Sequence, residues 1–173
     1  LDLSIYIKIA NGEIDATLHN DDFRADLKSV DTIGLLHMLK YPELFKAKLN
    51  ARVDYNLADS IGIVDGDLLD GHFVKNKTFD SIKKYVNFNM YKENFHGDVS
   101  AKINKEKILA SLDLKSKSSS IKTKDTKLNT KTQIINSKLK ITANKNPIDL
   151  ELSGDINQPN IKIDLEKFMK SKA

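Results

Sequence analysis

Apolar and polar residues alternate along most of this chain, which is the pattern of β-strands that bury one face. The alternation runs from Leu3 to Ile9, reverses at the Asn11-Gly12 turn signal and continues from Ile14 to Leu18. These features predict a β-hairpin. A third strand is predicted from Phe23 to Leu27. The longest alternation, from Ala47 to Leu57, predicts a strand about 35 Å long.

The spacing of apolar residues becomes helical in two places, residues 30–39 and residues 79–86. Pro42 follows the first of these segments, as expected near the end of a helix. The candidate N-caps are Asp31 or Thr32 for the first helix, and Thr78 or Asp80 for the second. Two short helices are therefore predicted within an otherwise β-rich chain.

The second half of the chain is predicted to be an antiparallel meander with strands at 95–103, 108–114, 121–128 and 135–143. One part of it, Lys115 to Thr132, is rich in Lys, Ser and Thr, with Ile121 and Leu128 as its large apolar residues. Disorder is one interpretation of this composition. Strands with a weak apolar face are the other, because Thr favours strands.

The chain closes with a predicted hairpin around Gly154 and Pro159. Gly154 is expected to break the first strand, and Pro159 to close the turn. One face of this hairpin is formed by Ile148, Leu150, Leu152, Ile161, Ile163 and Leu165. The fold class predicted for residues 1–173 is therefore a single, mainly β domain. We expect a strongly curved antiparallel meander with two or three short helices and an elongated open groove.

The charge of the chain is unevenly distributed. The net charge is +4, but the residues from Ser100 onward contain 16 Lys and 8 Asp or Glu, a balance of +8. A basic half can attract nucleic acid or anionic lipid. This half has no Arg and a single aromatic residue, Phe168, whereas nucleic-acid sites combine Arg with stacking aromatics. We therefore expect no nucleic-acid partner, and lysines that point to solvent from the strands.

Catalytic and metal-binding patterns are weak in this sequence. There is no cysteine, and His19, His37, His72 and His96 occur without the close spacing of zinc ligands. The segment from Asp65 to Gly71 has paired carboxylates but lacks the ligand spacing of a calcium loop, so it is interpreted as a turn flanked by glycines. Ser118 to Ser120 lack a nucleophile motif, and no glycine-rich phosphate loop is present. We therefore expect a protein that is not an enzyme and has no cofactor.

The apolar face of the strands is the remaining candidate site. Two short helices are too few to cover about ten strands, so part of this face is expected to stay open as a groove for acyl chains. Each CH₂ that leaves water contributes about 0.8 kcal/mol. The alternative is a filled core in a structural or protein-interaction domain of an envelope or secretion scaffold, which docks partners by strand addition. The candidate wall residues are Leu49, Ala51, Val53, Tyr55, Val99, Ala101, Ile103, Leu112, Leu114, Leu139 and Ile141.

The order of elements resembles the carboxy-terminal domain of the AsmA-like family of bacterial envelope proteins. The resemblance covers most of the chain and rests on short motifs. A strand, a helix and a long strand are matched by residues 23–28, 30–39 and 47–57. The glycine-bounded segment 63–73, the segment 95–99 and the closing step from Ser153-Gly154 to Ile163 are similar to later elements of that domain.

This resemblance implies a periplasmic domain of a larger protein, attached to the inner membrane through a segment absent from this chain. It also implies a role in outer-membrane biogenesis or phospholipid transport. The partners expected from it are phospholipid acyl chains and other envelope proteins. No catalytic residue carries over from the family. Because the chain opens inside a predicted strand, we expect it to be part of a longer protein. It shows no run of about 18 apolar residues, so no membrane anchor is predicted within it.

Overall fold

The computed structural model describes the backbone of residues 1–173 and every side chain except that of Ser171. This described chain forms eleven strands and three α-helices, with one short 3-10 helix at Met90–Lys92. The strands are β1 (Asp2–Ile9), β2 (Gly12–His19), β3 (Asp22–Asp31), β4 (Phe45–Asn56), β5 (Ile61–Phe73), β6 (Phe95–Asn104), β7 (Lys107–Lys115), β8 (Ser119–Asn129), β9 (Ile134–Ala143), β10 (Asn146–Asp155) and β11 (Asn160–Asp164). The helices are α1 (Thr32–Met38), α2 (Lys77–Val86) and α3 (Glu166–Lys172).

All eleven strands of the described chain belong to one antiparallel sheet. Each strand pairs with its neighbour in sequence, so the spatial order runs from β1 to β11 without a crossover. The mainly β fold and the meander predicted from the sequence are confirmed. Because β1 and β11 do not pair with each other, the sheet stays open. Ten strand-to-strand steps of about 20° add up to about 200° of twist, so a sheet of this width has to curl.

The strand pairing sorts the side chains onto two faces. Directly paired residues share a face, and one such row runs from Ile7 through Ile14, Leu27, Ala51 and Gly66 to Val99. The same row continues through Leu112, Thr123, Leu139 and Leu150 to Ile163. This side of the sheet is called the apolar face below, and the opposite side the polar face.

β-Bulges keep apolar residues on the apolar face at places where their spacing along the strand departs from two residues. β3, β5 and β8 each carry one extra residue relative to a neighbouring strand. Each bulge contains a residue with left-handed backbone: Ser29 (φ 51°), Asp70 (φ 52°) and Asp125 (φ 55°). The extra residue in β3 brings Leu27 and Val30 to the same face although they are three positions apart. Bulges also bend a strand and increase its twist, which adds to the curl of the sheet.

The two ends of the sheet differ in their connections. At one end, here called the helical end, α1 joins β3 to β4, α2 joins β5 to β6, and α3 follows β11. At the opposite end, the hairpin end, β2–β3, β4–β5, β6–β7, β8–β9 and β10–β11 are joined by short turns. The chain therefore places all of its described helices at one end of the apolar face.

Both predicted helices are present, with a difference in one cap. Asp31 caps α1 as predicted, because its Oδ1 accepts a hydrogen bond from the Ile33 N–H at 3.1 Å. The cap of α2 is Asn76 rather than Thr78 or Asp80, with its Oδ1 3.1 Å from the Phe79 N–H. The helix begins earlier than its apolar spacing indicates because Lys77 and Thr78 form a polar first turn.

Three glycine-containing segments differ from the sequence predictions. The first turn is formed by Ala10 and Asn11 with φ 47° and 59°, while Gly12 already lies in β2. A Cβ on Gly12 would lie 2.5 Å from the Lys28 carbonyl oxygen, so close packing against β3 explains this glycine. The segment Asp65 to Gly71 is part of a continuous strand rather than a turn. Similarly, Gly154 lies inside β10 and does not end it.

The Lys- and Thr-rich segment 115–132 forms an ordered strand, β8, with its flanking turns. Ile121 anchors it in the core with 1% exposure, so the strand interpretation is the correct one. α3 is a third helix, which follows in sequence the two helices whose positions were predicted from the spacing of apolar residues. It docks against β10, and Phe168 is its buried residue in the core.

Candidate functional site

All eleven candidate wall residues lie on the apolar face, in four rows that cross the sheet. Starting from the hairpin end, the rows contain Tyr55 and Ile103; then Val53 and Ala101; then Ala51, Val99, Leu112 and Leu139; and finally Leu49, Leu114 and Ile141. The shared face predicted from the period of two is therefore present. The pairing also shows that the rows lie at different distances from the helices.

The fully buried members of this set lie toward the helical end. In the row nearest the helices, Leu114 is 1% exposed and Ile141 is 2% exposed, while Leu49 is half-buried. One row further, Ala51 is buried, and Val99, Leu112 and Leu139 are half-buried. Val53, Tyr55, Ala101 and Ile103, nearest the hairpin end, are half-buried. The apolar face thus passes from a dry core at one end to a partly solvent-accessible surface at the other.

The helical end is a filled core. Phe79, Ile82 and Val86 of α2 pack with Met90 over the buried ends of the strands. Three phenylalanines extend this packing, with ring centroids 4.2 Å apart for Phe73 and Phe79, and 5.3 Å for Phe73 and Phe95. Phe95 is fully buried. The sequence placed Phe73 and Phe95 in strands and Phe79 in a helix, and it gave no indication that the three rings meet.

The hairpin end of the apolar face has no comparable cover among the residues that the structure describes. Tyr55, Ala101 and Ile103 belong to neither of the two described cores. The row nearest the turns stays apolar across most of the sheet, and its half-buried side chains are Leu18, Phe23, Tyr55, Ile103, Ile108, Leu128 and Ile135. This is the part of the structure with a continuous and accessible apolar surface.

A cluster of three hydroxyl groups interrupts the apolar face beside the bulge in β8. The Thr126 Oγ1 lies 2.6 Å from the Ser137 Oγ and 2.7 Å from the Thr123 Oγ1. Ser137 is buried, and the three hydroxyls hydrogen-bond to one another, so their burial is compensated. Sequence reasoning found only the shortage of large apolar residues here. The bulge is what brings the hydroxyls together.

The polar face carries the charged residues of the sheet. Arg24 Nε and Asp54 Oδ1 lie 3.0 Å apart, and Arg52 Nε and Asp26 Oδ1 lie 3.1 Å apart. Every lysine from Lys102 onward is exposed, as predicted for outward positions on the strands. These exposed ion pairs contribute little stability individually. They give the sheet one charged side and one apolar side.

Two titratable side chains contact helices: Tyr91 of the short 3-10 helix contacts α2, and Lys167 joins α3 to β10. The Tyr91 hydroxyl lies 2.8 Å from the Asn76 carbonyl oxygen and 2.9 Å from Asp80 Oδ1, at the start of α2. Burial raises the pKa of Tyr91, and the Asp80 carboxylate raises it further. In α3, the hydrogen bond from Lys167 Nζ to Asp149 at 2.6 Å raises the pKa of Lys167. Both contacts hold a helix in place.

The described side chains do not form a group of three or more His, Cys, Asp or Glu able to hold a metal ion. Two of the four histidines contact single carboxylates: His19 Nδ1 lies 2.5 Å from Asp2 Oδ1, and His37 Nδ1 lies 2.6 Å from Glu43 Oε1. The carboxylates of Asp65 and Asp67 point to the polar face of β5, in extended backbone. The local geometry is that of a strand.

A surface depression of about 500 Å³ crosses the middle of the sheet at β5–β8. Its lining combines carboxylates such as Asp65 and Asp98 with the apolar residues Val99 and Leu112. The mixed lining distinguishes it from the continuous apolar surface at the hairpin end. We therefore treat the hairpin end of the apolar face as the candidate site.

Comparison of the chain with protein-family models, with curated proteins and with solved structures finds no match. Among the helices that the structure describes, none has the length and apolar character needed to cross a bilayer.

Proposed function

We propose that this domain is a non-enzymatic lipid-handling domain that holds phospholipid acyl chains against the hairpin end of its apolar face. The observation that carries the proposal is the row of half-buried apolar residues nearest the hairpin turns, in which Tyr55 and Ile103 lie outside both cores and Phe23 packs against the edge of one. A core residue of a closed domain would be dry, and a solvent-facing strand would be polar at these positions. A surface that is apolar and accessible across many strands is suited to an apolar ligand.

The dimensions of the sheet fit this role. Eleven strands about 4.8 Å apart give a width of about 48 Å across the strands. The acyl chains of one lipid occupy about half of the roughly 30 Å hydrocarbon core of a bilayer, or about 15 Å. One such surface can therefore accept acyl chains at successive positions across the strands. Burial of each CH₂ contributes about 0.8 kcal/mol, which supports binding without a specific polar pocket.

We further propose that the domain acts in the bacterial periplasm as part of an AsmA-like protein, in outer-membrane biogenesis or phospholipid transport. The proposal is supported by the order of elements, from the strand, helix and long strand of β3, α1 and β4 to the closing hairpin of β10 and β11. In this role the membrane anchor would belong to a segment outside this chain. The exposed lysines of β6–β11 would face anionic headgroups or the envelope medium.

The test is direct detection of bound lipid, with a matched pair of variants. Native mass spectrometry of the gently purified chain should show phospholipid adducts, and the chain should extract a phospholipid with a fluorescent acyl chain from vesicles. Ala101→Glu places a charge on the apolar face and should reduce extraction about tenfold or more. Ser100→Glu changes the adjacent residue on the polar face and should leave extraction unchanged.

Repeated absence of lipid from the purified chain, with no extraction from vesicles, would exclude the lipid-handling role. Equal loss of extraction in both variants would show that the apolar face is not the binding surface. In either case the filled core at the helical end would favour the alternative, a structural or protein-interaction domain.

A further inference from the structure

Within the described sheet, β1 is an edge strand. β1 pairs with β2 on one side and with nothing described on the other. It has eight residues, contains no proline or bulge, and its only charged residues, Asp2 and Lys8, lie near its two ends. Its apolar-face residues Leu3, Ile5 and Ile7 are 47%, 40% and 42% exposed. Natural edge strands are normally shortened, covered or charged at the centre, because unpaired backbone groups recruit further strands.

The opposite edge shows the protection that β1 lacks. β11 has five residues, with Lys162 at its centre, and α3 follows it directly. Pairing β11 with a second copy of itself around its middle residue would place one Lys162 against the other. Like charges directly opposite each other in a sheet are destabilising. The two edges therefore differ in their capacity to pair with themselves.

The backbone of β1 presents its free hydrogen-bonding groups at even-numbered residues. Ile9 and Gly12 flank the two-residue turn at Ala10-Asn11, and in such a hairpin the flanking pair is hydrogen-bonded. The Asn20 N–H also donates to the Leu1 carbonyl oxygen at 2.8 Å, so Leu1, like Ile9, is an odd-numbered residue whose backbone bonds toward β2. The odd residues of β1 therefore bond to β2. The N–H and C=O groups of Asp2, Ser4, Tyr6 and Lys8 point away from the sheet.

We propose that β1 pairs antiparallel with β1 of a second copy of this chain, around a two-fold axis at Ile5. In this register Asp2 lies opposite Lys8 of the other copy, Ser4 opposite Tyr6, Leu3 opposite Ile7, and Ile5 opposite itself. Apolar residues meet on the apolar face, and the two ends form opposite-charge pairs. The even residues meet as hydrogen-bonded pairs, as their free backbone groups require.

Two neighbouring registers fit less well. A shift by one pair in one direction places Ser4 against Ser4 and Asp2 against Tyr6. A shift in the other direction places Tyr6 against Tyr6 and Ser4 against Lys8. Both shifts lose the two pairs of opposite charge, so charge complementarity selects the register centred on Ile5.

This contact joins the apolar faces of two copies into one surface. The combined sheet has twenty-two strands and a width of about 100 Å at about 4.8 Å per strand. The interface is isologous, so it closes as a dimer and does not propagate into a filament. The pairing rests on the β1 edge alone and does not depend on the lipid-handling role.

The test combines the oligomeric state with matched edge variants. In sedimentation velocity the chain should be a concentration-dependent dimer. Ile5→Lys places two like charges on the axis and should weaken dimerisation about a hundredfold. Ile161→Lys is the control, because Ile161 is 38% exposed on the same face of the other edge strand, and it should leave the dimer intact. Circular dichroism of each variant verifies that it is folded.

Single cysteines test the register, since the chain has no cysteine of its own. Ile5→Cys should form an intermolecular disulfide on mild oxidation, because the two residues face each other across the axis. Ile7→Cys should not, because the two sulfurs would be four residues apart along the strand, about 14 Å, and a disulfide requires Cα atoms within about 7 Å. A monomer at all soluble concentrations would overturn the proposal. So would a dimer that survives Ile5→Lys, or equal cross-linking at both positions.

Discussion

Gly97 of β6 lies so close to Asp113 of β7 that a Cβ on the glycine would be 1.9 Å from the Asp113 carbonyl oxygen. Gly97 also has a φ of 156° and pairs directly with Leu114, whose side chain fills the core at the helical end. The absence of a side chain at this position is what lets the two strands pack at the base of the core.

Gly97→Ala should therefore destabilise the fold by about 3 kcal/mol, since the contact is with backbone and cannot be relieved by a rotamer change. Gly154→Ala is the matched comparison. It has a φ of 90°, but its nearest neighbour would be the Asn160 side-chain nitrogen at 3.2 Å. It should cost about 1 kcal/mol through backbone strain. Urea denaturation measures both values, and equal costs would contradict the steric argument.

Ser29→Gly should stabilise the protein. Ser29 has a φ of 51° in the bulge of β3, and a non-glycine residue in this conformation costs about 1 kcal/mol. Glycine removes that strain but has more freedom in the unfolded chain, so a net gain of about 0.5 kcal/mol is expected. Ser4→Gly, in the extended backbone of β1, is the control and should be destabilising. A loss of stability in Ser29→Gly would show that the bulge is not strained.

The two ends of the apolar face should respond differently to truncation. Ile141→Ala removes a side chain that is 2% exposed and should cost about 3 kcal/mol, because it leaves a cavity in the covered core. Ile103→Ala removes a half-buried side chain at the hairpin end and should cost about 1 kcal/mol. Chemical denaturation compares the free energies of unfolding. Equal losses would mean that the hairpin end is as well packed as the core.

Tyr91→Phe should cost about 1 kcal/mol at neutral pH, because the hydroxyl contacts Asn76 and Asp80 at the start of α2. Tyr85→Phe, at a residue of α2 that is exposed, should be neutral and serves as the control.

The same tyrosine gives the stability a defined pH dependence. The pKa of Tyr91 is raised in the folded protein above its ordinary value of 10.0, chiefly by burial. Its contribution is therefore fully present below pH 10 and is lost as the pH rises through the raised pKa. Thermal melts across this range should show a smaller alkaline loss of stability in Tyr91→Phe than in the parent chain. An identical loss in both proteins would assign the pH dependence to other groups.

Most of the strands could be predicted from the sequence, because a period of two is a local signal and each strand pairs with its neighbour in the chain. The long strand from Phe45 to Asn56 and the hairpin around Pro159 are examples. The bulges were harder to predict, since Ser29 and Asp125 are not glycines and carry no turn signal, and the glycines around Asp70 predicted a turn in place of a bulge. The α2 cap was placed wrongly because Asn76 precedes the apolar spacing of its helix by a polar turn.

The candidate site could be predicted only in part. Parity was sufficient to place residues such as Val53 and Ile103 on one face, because it depends only on odd and even positions. The odd or even position of a residue does not determine whether another element packs over it. That depends on where α2 and its aromatic contacts lie over strands that are distant in sequence. The difference between the buried Ile141 and the half-buried Ile103 therefore required the three-dimensional structure.

The uninterrupted strand order has a consequence for how such a protein can change in length. Each strand depends for its backbone hydrogen bonds only on the strands before and after it, so the architecture behaves as a nearly one-dimensional array. Duplication or loss of one hairpin would lengthen or shorten the sheet by about 10 Å while the remaining pairings stay the same. Because every strand pairs with its neighbour in the chain, folding can spread from one hairpin to the next. A chain of this design can be adapted to a different span by adding repeats, with no change in topology.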